Sequence, residues 1–389
     1  MRNVILAGYF GRANIGDDAL LKVSATHVRR ALPGNTLCIE RAAEYLRVLV
    51  PDVKLGVIAP SAKADEESNR ITVYCGGTQF FQFKKATFGE KVQYWRGQAR
   101  VSLKSTWKEL SGVIKERVNP SRRGPSEKIL VGIGVGPIAT ESYAASLISK
   151  LATAQDIWVR DKASLSFLAD NGLRAKFGAD ICFSSEMLGI LPSLEGLSPE
   201  REVTIICRDW SLDQCDVTRR LIELGRQLRA RGLAVEFCLF SHAEDSVSES
   251  FILNAGFPLR KWGDDGWDIT EFLKSTYRTK LVISARYHGA IFSALLGIPV
   301  CVVDIEPKLS ELSTQSGGAI SLLERTVGDE TASNWCSKAI AKLDQTTEVV
   351  NSLRRFVCVE RERADAMWKD VEERLRSSGG SNSILLSGV

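Results

Sequence analysis

The chain has 389 residues, and at about 150 residues per domain that length accommodates two domains or three, each able to bury its own core. Hydrophobic residues make up 44% and charged residues 25%, the balance of an ordinary globular chain, which excludes a disordered or fibrous protein. Lys plus Arg number 51 against 47 Asp plus Glu, so the net charge is only +4: too small and too spread for a dedicated nucleic-acid binder, but compatible with a mildly basic face for anionic small molecules.

Short apolar, β-branched runs recur along the chain, each followed by glycine or polar residues and then a helical pattern. Predicted strands cover 3–8, 36–40, 54–58, 71–75, 129–133 and 156–159, then 203–207, 234–239, 280–284 and 299–304. Amphipathic stretches at 17–31, 141–152, 162–170, 211–230 and 268–277 read as helices between them. Continuous apolar strands alternating with helices indicate an α/β chain with parallel sheet covered on both faces. The alternation pauses over 187–202, which holds two prolines and two glycines, so an interdomain linker is placed there. It separates a Rossmann-like unit at 1–186 from a second at 203–344. Residues 83–127, basic and interrupted by Pro120 and Pro125, read as an insertion or active-site flap. Over 345–376, Val349, Leu353, Phe356, Met367, Val371 and Leu375 fall on or near one stripe, which predicts a long closing helix. At about 1.5 Å per residue it outreaches one compact domain and is expected to pack back on the first. The tail 377–389 reads as mobile.

Nine cysteines show no CxxC spacing and sit mostly in apolar runs, as buried free thiols of a reducing compartment do. The N-terminal run turns polar by Arg12 and reads as a first strand, not a signal peptide. The longest low-polarity run, between His288 and Asp304, contains Pro299 and falls short of the about 20 apolar residues a membrane span needs. The expected location is the cytoplasm, free or at the inner face of the membrane.

Doubly wound sheets bind ligands at the carboxyl ends of their strands, so the chemistry is expected just after strands. After the first strand, Gly8-Tyr9-Phe10-Gly11-Arg12-Ala13-Asn14-Ile15-Gly16-Asp17-Asp18 opens a helix, with neither a GxGxxG nor a Walker A spacing. Its glycines let backbone N–H groups approach a ligand, and the helix N-terminus favours an anion. Asp17 or Asp18 is expected to cap the helix, which leaves Asn14 unneeded by the turn and marks it as a ligand-loop residue. Cys75-Gly76-Gly77-Thr78 and Gly132-Ile133-Gly134-Val135-Gly136-Pro137 read as two further glycine-rich strand ends. Arg160 ends a strand where it can reach the cleft, with a salt bridge to Asp161 as the structural alternative. Arg208 and His242 follow the first two strands of the second unit.

The most informative segment is Ser284-Ala285-Arg286-Tyr287-His288-Gly289, where a cation and one of only three histidines stand beside a helix N-terminus. Arginine grips phosphate or carboxylate in a bidentate way, and Lys308, after the next strand, brings a second cation. His27, His242 and His288 lie far apart with no HxH or HExxH, and no GxSxG elbow exists. A cationic, glycine-rich site for a small anion is expected, without a metal.

Taken in order, these pieces resemble the polysaccharide pyruvyl transferase family. The matching segments are GYFGRANIGDDALL at 8–21, YCGGT at 74–78, GIGVGP at 132–137 and WVRDKASLSFL at 158–168. They continue with TIICRDW at 204–210, FSHAED at 240–245 and SARYHGAIFSALLGIPVCVVDIEPKL at 284–309. The resemblance implies a GT-B-type fold, two Rossmann-like domains facing across a cleft. It also implies transfer of pyruvate from phosphoenolpyruvate onto two hydroxyls of a sugar, as a ketal, with release of phosphate. In that reading Arg160, Arg286, Tyr287 and Lys308 bind phosphoenolpyruvate, while Asn14, Asp17, Arg208 and His242 face the acceptor or the cleft. His288 is the expected proton donor, because imidazole cycles a proton near neutral pH and guanidinium almost never does; Arg160 is the other candidate. No cofactor or metal is expected. The partners implied are phosphoenolpyruvate and a glycan acceptor, lipid-linked, nucleotide-linked or polymeric, with no nucleic acid and at most peripheral membrane contact.

The sequence departs from the family pattern in three places. Tyr287 stands where leucine is usual, Cys75 replaces the first glycine of a triplet, and 83–127 is long. Two other readings compete. A nucleotide-sugar glycosyltransferase of the same architecture would use a carboxylate such as Glu306 on the ribose. A non-catalytic sugar-binding or scaffolding protein would show a broken cation set, whereas Arg160, Arg286, His288 and Lys308 are all present.

Overall fold

The computed structural model describes residues 3–56, 70–82, 127–209, 216–241, 244–325 and 331–380. His242, most of the predicted flap and the last nine residues of the predicted tail lie outside these. The first unit runs β1 (Asn3–Ala7), α1 (Ile15–Ala31), β2 (Thr36–Ile39), α2 (Leu46–Leu49), β3 (Lys54–Leu55), β4 (Arg70–Cys75), β5 (Thr78–Gln82) and β6 (Glu127–Ile138). It continues with α3 (Glu141–Leu151), β7 (Asp156–Val159), α4 (Lys162–Asp170), β8 (Lys176–Phe177), a 3-10 turn at Ile181–Phe183 and α5 (Ser185–Leu188). The second unit runs β9 (Arg201–Cys207), α6 (Asp216–Ala230), β10 (Val235–Leu239), α7 (Ser246–Asn254), β11 (Leu259–Lys261), α8 (Ile269–Thr276) and β12 (Thr279–Ser284). It ends with α9 (Tyr287–Leu295), β13 (Val300–Val303), α10 (Pro307–Gln315), β14 (Ser321–Leu323) and α11 (Thr331–Asp344), followed by α12 (Thr346–Gly380).

The first sheet has the order β3-β2-β1-β4-β6-β7-β8, with β5 added on β6, and the second the order β11-β10-β9-β12-β13-β14. Every described pairing is parallel, from β1 on β4 to β9 on β12. Helices cover both faces, which is why Val203, Ile205 and Ile206 are all fully buried although their side chains alternate in direction. In each sheet the strand order reverses beside its first strand, opening a crevice at the carboxyl ends of β1 and β4 and another at those of β9 and β12.

Three local expectations are corrected. The run Gly132–Pro137 does not end the strand predicted at 129–133 but continues it inside β6, which reaches Ile138. It is held as strand because β5 and β7 flank it, pairing Thr78 with Gly134 and Val159 with Ile133. Residues 377–380 belong to α12 rather than to the tail, with Ser378 donating a hydrogen bond to Glu127 at 2.7 Å. The segment between α5 and β9 is also shorter than 187–202, because α5 holds Met187 and Leu188 and β9 starts at Arg201.

Helix α12 packs on α1 and β6 of the first unit and on α9 of the second. Trp368 stacks on His27 of α1 with ring centroids 4.2 Å apart, and Glu372 takes the His27 Nδ1 contact at 2.8 Å. The eight described cysteines are free thiols, buried except Cys358. No helix among the described residues is long and apolar enough to cross a membrane.

Candidate active site

The two crevices face each other. Ile15 at the start of α1 donates its N–H to the Phe240 carbonyl at 3.1 Å, and Asn14 bridges Ser241, so the tip of α1 is seated on the second unit. Beside this seam lies a cavity of about 150 Å³. It is lined by Asn14, Asp17 and Arg160 from the first unit and by Arg208, Arg286, Tyr287, His288 and Lys308 from the second. Those are all of the sequence-predicted site residues that are described; His242 lies outside the described residues. A larger cavity of about 670 Å³, lined by residues such as Leu233, Ile298 and Ile340, opens at the opposite edge of the second sheet, where β9, β12 and β13 begin. Its two cations, Arg231 and Lys280, are matched by the carboxylates of Glu202 and Asp344 in the same lining.

Each cation is fixed by a carboxylate: Asp180 and Asp245, which the sequence did not single out, and Glu306, which it offered only as a ribose partner. Arg160, 2% exposed, donates from Nη1 to Asp180 at 2.9 Å and from Nη2 to Thr78 Oγ1 at 2.8 Å. Asp161, the partner named as the structural alternative, forms a longer ion pair with Arg160 Nε at 3.7 Å and also caps α4 by accepting the Ser164 N–H at 2.7 Å. Arg286 Nη2 donates to Asp245, whose carboxylate also accepts the N–H groups of Asp209 and Ser241, each at 3.1 Å. Arg208 and Lys308 share Glu306, the lysine at 2.8 Å. Tyr287 lies under these groups, its ring centroid 4.2 Å from the Arg160 guanidinium and 5.9 Å from Lys308 Nζ.

Pairing holds the cations in place without exhausting them. Arg160 Nε, Arg286 Nε and His288 Nε2 are buried and lack a hydrogen-bond partner among the described residues. An unmade buried hydrogen bond costs about 1–3 kcal/mol, so three around one cavity point to a ligand rich in acceptor oxygens. Burial pushes Lys308 down to about 8, against the pull of Glu306, so it stays charged through neutral pH and loses its proton more easily than an ordinary lysine.

His288 occupies the first turn of α9, its Nε2 3.6 Å from Asp180. Burial pushes the Asp180 carboxyl upward, but the His288 and Arg160 charges outweigh it and hold the group well below its ordinary range. The other wall of the imidazole is Gly16: a methyl group there would stand 2.3 Å from His288 Nδ1. Gly16 is therefore glycine for the histidine's sake, a reason invisible in the local sequence.

Asn14 is the N-cap of α1, its Oδ1 accepting the Gly16 N–H at 3.1 Å, which corrects the expectation that Asp17 or Asp18 caps the helix. The helix starts two residues earlier than predicted because Ile15 is tied to Phe240. Asp17 is thereby freed to line the cavity, where burial, opposed by His288, pushes its carboxyl up to about 6. Asp18, fully buried, accepts from Trp262 Nε1 of the second unit at 2.8 Å and from Tyr45 OH at 2.9 Å. Tyr45 OH in turn accepts the Ala13 N–H at 2.8 Å, steadying a residue with φ of 52°.

Among the described residues no cation offsets the burial of Asp18, and burial pushes it up to about 8 from the ordinary 3.8. A raised carboxyl favours the protonated folded state, so its contribution is present at low pH and is lost as pH rises toward 8. We expect Asp18→Asn, which removes the titration, to gain stability relative to the parent by up to about 1.4 kcal/mol per pH unit between pH 6 and 8. Thermal unfolding of both proteins across that range checks this; a constant difference would refute it.

Asp180, Cys182 and His288 are the one group of potential metal ligands found among the described residues. Their chemistry does not suit a cation: Asp180 already holds Arg160, and burial raises the Cys182 thiol far above the range in which it becomes a thiolate ligand.

Comparison with curated proteins gives no match. Among solved structures, S. aureus MnaA with UDP superposes with a TM-score of 0.55 at 9% identity, covering 97% of each chain. A glycosyltransferase from Rickettsia africae ESF-5 gives 0.51 at 10% identity, covering 96% of this chain and 97% of the other. Medicago truncatula UGT71G1 complexed with UDP-glucose gives 0.50 at 13% identity, covering 96% and 98%. Likeness at such identities establishes the fold, a GT-B arrangement of two facing α/β units with a long C-terminal helix. The family model for polysaccharide pyruvyl transferase matches residues 14–307.

Proposed function

Since the chain belongs to the polysaccharide pyruvyl transferase family, we propose that it takes pyruvate from phosphoenolpyruvate and closes it as a ketal across two hydroxyls of a sugar, releasing phosphate. The acceptor is a sugar of a surface or extracellular polysaccharide or its precursor, and the reaction is assigned to the cytoplasm or the inner membrane face. The observation that carries this reading is the convergence of Arg160, Arg286, Lys308 and His288 on one cavity of about 150 Å³. Three cations and a histidine around one small space match the phosphate and carboxylate of a compact anion better than the base and ribose of a nucleotide sugar. Glu306, the carboxylate a ribose would need, is already engaged by Arg208 and Lys308.

In this mechanism Arg160, Arg286 and Lys308 hold the phosphate and carboxylate of the donor. His288 gives a proton to the methylene carbon C3, and the double-bond electrons that form the new C–H bond leave C2 electrophilic. A sugar hydroxyl attacks C2, its proton passing to Asp17, whose raised carboxyl suits a base working near neutral pH. Phosphate then departs with the C–O bond electrons, and the neighbouring hydroxyl closes the ketal. Of the two hydroxyl protons, one replaces that used at C3 and the other leaves with phosphate. The fixed cations neutralise the donor, so no metal enters the scheme.

Isothermal titration should therefore show phosphoenolpyruvate binding in the presence of a chelator, and no comparable binding by a panel of UDP-sugars. Glycans incubated with the donor should gain the mass of one pyruvate less one water. Binding that needs magnesium, or a preference for UDP-sugars, would count against the proposal.

Gly16→Ala tests the placement of His288. Alanine suits a helix better than glycine, so the fold should persist, but the new methyl must push the imidazole aside. A displacement of about 1 Å at a reacting group can cost on the order of 10²-fold, and a loss of that size in turnover is expected, with little change in donor affinity. Unchanged turnover would show that His288 does not need its present position.

A further inference from the structure

Two aromatic side chains in the same cavity have no part in donor chemistry. Tyr9 follows β1, and Phe81 lies in β5; both are half-buried, both line the cavity, and their ring centroids are 6.3 Å apart with planes inclined at 42°. The Arg12 guanidinium, 5.3 Å from the Tyr9 centroid, steadies that ring. Both aromatics come from the first unit, whereas Arg286 and Lys308 come from the second. Phosphoenolpyruvate is small and charged throughout and has no broad apolar face to cover them. A pyranose has one: axial C–H bonds, polarised by the ring oxygens, meet the electron-rich face of an aromatic ring favourably. The carboxylates of Asp17 and Glu244 line the same cavity. When ionised they only accept hydrogen bonds, which matches sugar hydroxyls and opposes an acidic sugar.

We propose that Tyr9 and Phe81 form the acceptor subsite, which takes an uncharged pyranose with its C–H face on the two rings and its free hydroxyls toward Asp17. This rests on the pyruvyl transferase reading for the role of the sugar, but its test does not need turnover. Saturation-transfer NMR without phosphoenolpyruvate, using the methyl pyranosides of galactose, glucose and mannose and the methyl glucuronide, reads sugar binding directly. Neutral glycosides should receive saturation at the C–H protons of one ring face, and Tyr9→Ala or Phe81→Ala should weaken their binding by about tenfold or more. Tyr9→Phe and Phe81→Tyr should retain it, and donor affinity by titration should stay within about twofold in all four variants. The subsite is overturned if no neutral glycoside binds the parent protein, if the glucuronide is preferred, or if the alanine variants lose sugar and donor binding alike. Sugar binding that depends on both rings, with no pyruvate transferred to any acceptor, would leave the subsite standing and overturn the function instead.

Discussion

His288→Ala is expected to lower turnover by about 10²-fold or more, the usual scale for removing an acid–base group, while phosphoenolpyruvate affinity falls much less. The imidazole lines the cavity with an Nε2 that lacks a hydrogen-bond partner among the described residues, whereas the arginines there do not deprotonate. Its surroundings hold it still: Asp180 stands 3.6 Å from Nε2, Gly16 lies against Nδ1, and the Tyr287 and Phe292 rings pack at 5.7 and 5.9 Å. The Asp180 carboxylate stays charged at any working pH and so presents a constant partner to the ring. His288→Gln separates the two roles, because glutamine donates a hydrogen bond but cannot cycle a proton. Near-normal turnover in the Gln variant would make His288 a binding residue and pass the role of acid to Arg160.

Arg286→Ala should produce two losses that can be told apart. On the proposed reading Arg286 grips the donor, so phosphoenolpyruvate affinity should fall by about tenfold or more. The variant also leaves Asp245, fully buried, without its cation. Breaking a buried pair from one side costs about 3–5 kcal/mol. The loss here should lie toward the low end, since Asp245 keeps the Asp209 and Ser241 N–H groups. Burial already pushes the Asp245 carboxyl upward against the pull of Arg286, so without that pull it should take up a proton more readily. Adding Asp245→Asn to Arg286→Ala should then recover most of the melting temperature and none of the donor affinity. Recovery of both together would show that Arg286 acts only through the fold.

The sequence by itself determined the architecture and the address of the site. Runs such as 203–207 and 280–284 are apolar on both sides, which only a parallel sheet covered by helices tolerates, and parallel strands place all their carboxyl ends on one edge. Arg160, Arg208, Arg286 and His288 could therefore be assigned to a common cleft without knowing a single contact. Each is read from its position one to four residues beyond a strand.

What only the tertiary structure decided is how those groups are paired and oriented. Arg160 meets Asp180 across 20 residues, Arg286 meets Asp245 across 41 and Arg208 meets Glu306 across 98. Asp18 finds Trp262 across 244. No local pattern marks such carboxylates, because an acid in a strand-end loop looks the same whether it caps a helix, faces water or holds a buried arginine. The start of α1 lies ahead of the expected residue 17 for a related reason: Asn14 is an ordinary cap residue, but the turn it selects is fixed by Ile15 bonding to Phe240 of the other unit. Gly16 shows the same limit, since the atom that forbids a side chain there belongs to His288. Strand and helix follow from periodicities within a few residues, whereas a buried charge takes its partner from whichever segment the fold brings within about 4 Å.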